Sequence, residues 1–163
     1  LAKGLQGTRV HTLQLILKSG REDFYIGAER FTEAFRNTQV RILKLSGSEL
    51  VSLNNNRIKI LAEGLRDTQI HTLELSEIQA TCLGVLSKGL QRTQVRTLHI
   101  QILNMKAKHT IESFAEGLQG TQVTELHLYG HLNSSHVIKL IQRSSLFSSC
   151  SFSSFNNPFF FNK

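Results

Sequence analysis

The segment LAEGLRDTQIHTLEL, Leu61 to Leu75, changes its apolar period halfway along. Leu61 and Leu65 stand four apart, the spacing of one helical face. Leu73 and Leu75 stand two apart, the spacing of one strand face. Between them, Asp67 and Thr68 supply turn chemistry. The segment therefore predicts a helix, a tight turn and a short strand in fifteen residues.

The same block occurs five times without a gap. The copies are LAKGLQGTRVHTLQL from Leu1, FTEAFRNTQVRILKL from Phe31, the segment from Leu61, LSKGLQRTQVRTLHI from Leu86 and FAEGLQGTQVTELHL from Phe114. Starts at 1, 31, 61, 86 and 114 give spacings of 30, 30, 25 and 28. That is too long for a coiled coil and suits a solenoid with one helix and one strand per unit. The pairs Leu1/Leu5, Phe31/Phe35, Leu86/Leu90 and Phe114/Leu118 repeat the helical spacing, and the helices should extend upstream through Ala28, Ile58, Leu83 and Ile111. One such unit cannot hide its apolar stripe. A stack can, by aligning strands into a parallel sheet and helices into an outer layer.

Gly7, Asn37, Asp67 and Gly120 share one position, two residues past the last apolar helix residue, where a left-handed residue ends a helix. Arg92 stands there in the fourth block, against the pattern. Thr8, Thr38, Thr68, Thr93 and Thr121 follow in every copy, and each hydroxyl is expected to satisfy a backbone group of its turn.

The strand pattern Val10-His11-Thr12-Leu13-Gln14-Leu15 and its four counterparts resemble the leucine-rich repeat, L-x-x-L-x-L. The LAEGL-type helix and periods near 28 look like the ribonuclease-inhibitor subtype. The resemblance covers residues 1 to about 143 as an array of about five units. It implies an α/β leucine-rich-repeat solenoid, a horseshoe with parallel concave strands and convex helices, whose concave face binds proteins. The family places Asn or Cys three residues after the last strand leucine. Here Lys18, Ser48, Ile78, Leu103 and His131 stand there, so those turns are either satisfied differently or belong to a degenerate array.

Residues between the buried leucines should stand in rows on the opposite face. Thr12, Ile42, Thr72, Thr97 and Glu125 form one row, and Gln14, Lys44, Glu74, His99 and His127 the next. Ile16, Ser46, Ser76, Gln101 and Tyr129 follow. This mixed polar face with a Tyr suits a protein partner. The bland alternative is a merely solvated sheet face. Glu74, His99 and His127 raise the thought of a metal. Strand spacing argues against it, because the outer two start ~9.6 Å apart. Two adjacent imidazoles also resist being charged together, so binding across this face should change near pH 6.

No metal or other cofactor is expected, and no nucleophile constellation or glycine-rich phosphate loop occurs. Cys82 sits beside a core leucine and reads as a small buried residue. Two distant cysteines, Cys82 and Cys150, make no disulfide framework, which points to a reducing, cytoplasmic setting. No apolar run approaches the ~20 residues of a membrane span. The net charge of +7 is spread along the chain without a block of like charges. His11, Arg41, His71 and Arg96 make a weakly basic stripe without interleaved aromatics, so nucleic acid is not the expected partner. Residues 144–163, SSLFSSCSFSSFNNPFFFNK, lack the repeat and read as a cap over the last unit or as a segment without order. The first residues fall inside a repeat, so the expectation is a fragment or a processed chain.

The expectation is a non-catalytic protein-interaction module, with no small-molecule substrate and no membrane. The alternative is a substrate-recruiting array of a larger enzyme or receptor, of the ligase-adaptor or nucleotide-binding immune-receptor kind.

Overall fold

A computed structural model describes residues 2–17, 35–103, 110–130, 138, 140, 149–154 and 157–162. The first block's helix is the single turn α1, Ala2–Leu5. Strands follow at β1, Thr12–Ile16, and β2, Ile42–Ser46. Next come a one-turn helix α2, Ser48–Val51, a longer helix α3, Asn55–Gly64, and strand β3, Thr72–Ile78. A short 3₁₀ turn, Ala80–Cys82, leads into α4, Leu83–Gly89, and then β4, Thr97–Ile102. Helix α5, Thr110–Leu118, and β5, Glu125–Tyr129, complete the fifth block, and β6, Ser149–Ser154, and β7, Asn157–Asn162, follow.

The fold is α/β. Strands β1 to β6 pair in chain order as one parallel sheet, and β7 adds an antiparallel edge. The register is constant through both leucine positions of every block strand and shifts only beyond them, between Leu75 and Ile78 of β3. Leu13, Leu43, Leu73, Leu98 and Leu126 form one continuous row, and Leu15, Leu45, Leu75, Ile100 and Leu128 another. A slip of one residue would turn every leucine of a strand outward, which fixes the pairing. From β2 onward these leucines are buried to within 1% of complete. Truncating one to Ala costs about 2–5 kcal/mol.

The helices close the other side of this core. Ile58, Leu61 and Ala62 of α3 are buried, as are Leu83 and Leu86 of α4 and Ile111, Phe114 and Leu118 of α5. Ile58, Leu83 and Ile111 are the upstream positions expected to extend the helices; Ala28 lies outside the described residues. Asn54 caps α3 by accepting the Arg57 N–H at 3.1 Å. Small residues bring neighbouring helices close. A methyl group placed on Gly117 would sit 2.0 Å from the Ser87 hydroxyl oxygen, and one on Gly89 would sit 2.6 Å from the Ala62 methyl.

The turns behave as one device. Each threonine hydroxyl donates to the last helical carbonyl: Thr8 to Leu5, Thr38 to Phe35, Thr68 to Leu65, Thr93 to Leu90 and Thr121 to Leu118, at 2.7–2.9 Å. The left-handed position differs from the expectation at two places. Gly7, Asn37 and Gly120 adopt positive φ, but so does Arg92 at 68°, while Asp67 does not. Arg92 takes this conformation despite a cost of about 1–2 kcal/mol for a side chain there. Asp67 instead pairs with Arg36 of the preceding turn at 3.4 Å.

After the strands, the turns are held by main chain. Leu17 N–H donates to the Ser46 carbonyl at 2.7 Å and Leu103 N–H to that of Ile78 at 3.1 Å. Glu77 takes φ of 68°, which bulges β3 and folds Ile78 into the core opposite Ile102. These backbone bonds stand where an Asn or Cys side chain was absent; Lys18 and His131 lie outside the described residues.

The end of the sheet corrects the sequence reading. Five strands were expected and a tail with no strand period. Ser149–Ser154 instead forms β6 in register with β5, placing Cys150 beside Leu126 and Phe152 beside Leu128. Phe152 is 1% exposed. The boundary at 143/144 falls outside the described residues.

Candidate functional site

Along each block strand, burial alternates, and the face away from the helices carries the intervening side chains. The first row runs Thr12, Ile42, Thr72, Thr97, Glu125. The second runs Gln14, Lys44, Glu74, His99, His127. Tyr129 pairs with Gln101 one step further on. All eleven side chains singled out as partner-binding therefore share one surface. Neighbouring strands are spaced ~4.8 Å apart, which sets which of them touch.

Three contacts tie the rows together. Lys44 Nζ lies 2.7 Å from Glu74 Oε2, with both side chains a little over a third exposed. The Thr97 hydroxyl donates to Glu125 Oε2 at 3.0 Å. The rings of His99 and His127 stack with centroids 4.2 Å apart and planes 6° from parallel. His127 Nδ1 is in turn hydrogen-bonded to the Ser151 hydroxyl of β6.

The stack defines what the histidines can do. Parallel rings carry their in-plane nitrogens side by side, so the lone pairs do not converge on a point ~2.1 Å from each. Glu74 is engaged by Lys44. Among the described residues no group of three or more His, Cys, Asp and Glu is placed to hold a metal ion. Burial lowers the His99 pKa first, and the neighbouring His127 lowers it further, while Glu74 pulls the other way.

Next to the stack the face dips into a shallow depression of about 300 Å³ lined by Glu74, Leu75, Ser76, His99, Ile100, Gln101 and Tyr129. It offers a carboxylate, an imidazole, a carboxamide, a hydroxyl and a phenol. Tyr129 is 41% exposed. An amphipathic ring in that state makes a contact anchor.

Ser151 is the member that sequence reading missed. Its signal was the alternation of Cys150 and Phe152 with serines, only four residues long and without a preceding LAEGL-type helix. Cys82 is buried, with its thiol 3.3 Å from the Leu53 carbonyl. Burial pushes its pKa up, against a smaller lowering by Thr81. A protonated, enclosed thiol is a poor nucleophile. No described helix is long and apolar enough to cross a membrane.

No protein-family model matches the chain, and no curated protein is significantly similar to it.

Proposed function

We propose that this chain is a stretch of leucine-rich-repeat array, similar to the ribonuclease-inhibitor subtype, and that it is a non-catalytic module whose open strand face binds a protein partner. One observation carries the reading. The leucine rows are nearly uniform from strand to strand, whereas the exposed row between them, Gln14, Lys44, Glu74, His99 and His127, holds four residue types in five strands. Structural demand accounts for the uniform rows. Variation confined to the exposed rows is what a recognition surface requires, because each strand then contributes a different chemical group at a fixed spacing.

The depression beside Tyr129 supports a protein rather than a small molecule, since it is shallow and open and a metabolite site encloses most of its ligand. The test is a quantitative pull-down with the wild-type chain beside a Lys44→Glu/Glu74→Lys/Tyr129→Ala variant. Partners that use the open face are lost from the variant. If every captured protein is retained at wild-type yield, the assignment of the face is wrong.

A further inference from the structure

The helix-to-strand turns all lie on one edge of the sheet, and this edge concentrates the positive charge of the molecule. Segments 6–11, 36–41, 66–71, 91–96 and 119–124 carry six arginines, Arg9, Arg36, Arg41, Arg66, Arg92 and Arg96, against a single carboxylate, Asp67. That is a net +5 of the chain's +7. No lysine and no Phe, Tyr or Trp occurs in these segments.

The backbone holds the turns in a line. The carbonyl of His11 accepts from the N–H groups of both Arg41 and Ile42, that of Arg41 from His71 and Thr72, that of His71 from Arg96 and Thr97, and that of Arg96 from Thr124 and Glu125. His11, Arg41, His71 and Arg96 are thereby stacked one strand spacing apart, about 4.8 Å. Arg36 is engaged by Asp67 and Arg66 by Glu63, both at 3.4 Å. Arg9, Arg41, Arg92 and Arg96 are exposed and have no carboxylate partner among the described residues. Gln39, Gln69, Gln94 and Gln122 form an exposed carboxamide row beside them.

We propose that this edge is a second docking surface, which takes an extended, acidic segment of a partner protein. Guanidinium groups bind carboxylates through two parallel N–H donors, which a lysine cannot do. The carboxamide row offers donors and acceptors to the peptide main chain. Charge density decides between polyanions. Five strands span about 19 Å, and with Arg36 and Arg66 paired the edge presents four free charges, one per ~5 Å, nearer to the ~3.3 Å per residue of an extended peptide than to the spacing of a duplex. Duplex DNA carries one charge per ~1.7 Å, which this edge matches poorly. Single-stranded nucleic acid is held by aromatic stacking, for which these segments have no Phe, Tyr or Trp side chain. This proposal does not depend on the open-face reading.

The test is fluorescence anisotropy of a labelled octaglutamate peptide and of a labelled twelve-residue oligothymidylate against the full chain. The peptide binds, and added salt weakens it. An Arg41→Gln/Arg96→Gln variant, checked for its fold by circular dichroism, loses on the order of tenfold in peptide affinity. A Lys59→Gln/Lys88→Gln variant makes the same charge change at exposed helical positions and binds as wild type. Equal losses in the two variants, an absence of peptide binding at low salt, or tighter binding of the oligothymidylate than of the peptide would each overturn the proposal.

Discussion

Replacing the turn threonines by valine tests whether five chemically identical turns hold the array. Thr93 is 1% exposed, and its hydroxyl donates to the Leu90 carbonyl at 2.7 Å. Valine keeps the shape and removes the donor. The Leu90 carbonyl retains the Thr93 N–H at 3.1 Å, so it is not orphaned. The loss is therefore that of one buried hydrogen bond, about 1 kcal/mol. Thr68, at 2% exposure, makes the same bond and also accepts the Ile70 N–H at 3.4 Å, so it should lose at least as much. Thr8 makes the same bond at 2.8 Å in half-buried surroundings, where water replaces the hydroxyl, so Thr8→Val should cost less than about 0.5 kcal/mol.

Urea denaturation followed by circular dichroism measures these differences, with an unchanged slope marking an unchanged denatured state. A Thr38→Val/Thr68→Val/Thr93→Val variant should lose about 3 kcal/mol, a large share of the 5–15 kcal/mol that holds a domain together. A loss well above the sum would show that neighbouring turns stiffen one another. The reasoning fails if Thr93→Val leaves the midpoint unmoved, or if Thr8→Val costs as much as Thr93→Val.

Three other outcomes are expected. A double-mutant cycle on Lys44→Ala and Glu74→Ala should return no more than about 1 kcal/mol of coupling, because both side chains are over a third exposed and solvent screens the pair. His99 has a folded-state pKa below its ordinary value, so the folded chain takes up its proton later than the unfolded chain; that contribution to stability is complete above about pH 6.5 and is lost as the pH falls from there through the depressed pKa, which denaturation at pH 7.5 and pH 5 should show, with a smaller pH effect in His99→Gln. Gly117→Ala should destabilise by about 1–3 kcal/mol, because the new methyl meets Ser87, whose hydroxyl is held by the Gly84 carbonyl at 3.1 Å, and adding Ser87→Gly should recover part of the loss in a thermal melt.

The parts of this molecule that were legible in its sequence are those that recur. Leucines two apart, apolar residues four apart and a threonine at a constant offset appear in every block, and each has one physical job. Arg92 was legible only as an exception, because the intrinsic preference of arginine runs against the left-handed conformation that it adopts. Strand β6 was hidden for the opposite reason. Its buried pair, Cys150 and Phe152, is a single short alternation, the helical residues Ile138 and Leu140 before it do not carry the LAEGL-type pattern, and its neighbour in the sheet supplies the register. On the open face, the rows could be written down from spacing alone. The stacking of His99 on His127 needed the orientation of the rings, and the tie to Ser151 needed a sixth strand. The arginine edge was seen only in part. Each turn carries at most two of its arginines and the turns lie 25–30 residues apart along the repeat, so no local window contains a larger cluster.

The two surfaces differ in the force they offer. On the open face, Lys44 is neutralised by Glu74, and the three charged residues of the two central rows, Lys44, Glu74 and Glu125, sum to −1. Attraction there rests on contact and hydrogen bonding, which salt does not screen. The turn edge offers uncompensated guanidinium groups in water, whose reach is about 10 Å at 0.1 M salt and about 3 Å at 1 M. A partner that engages both surfaces is thus guided at a distance by the edge and discriminated at contact by the face. Raising the salt should slow its association with little change in its dissociation, whereas Tyr129→Ala should do the reverse. Salt and Tyr129→Ala acting on the same rate constant would mean that edge and face do not divide the work in this way.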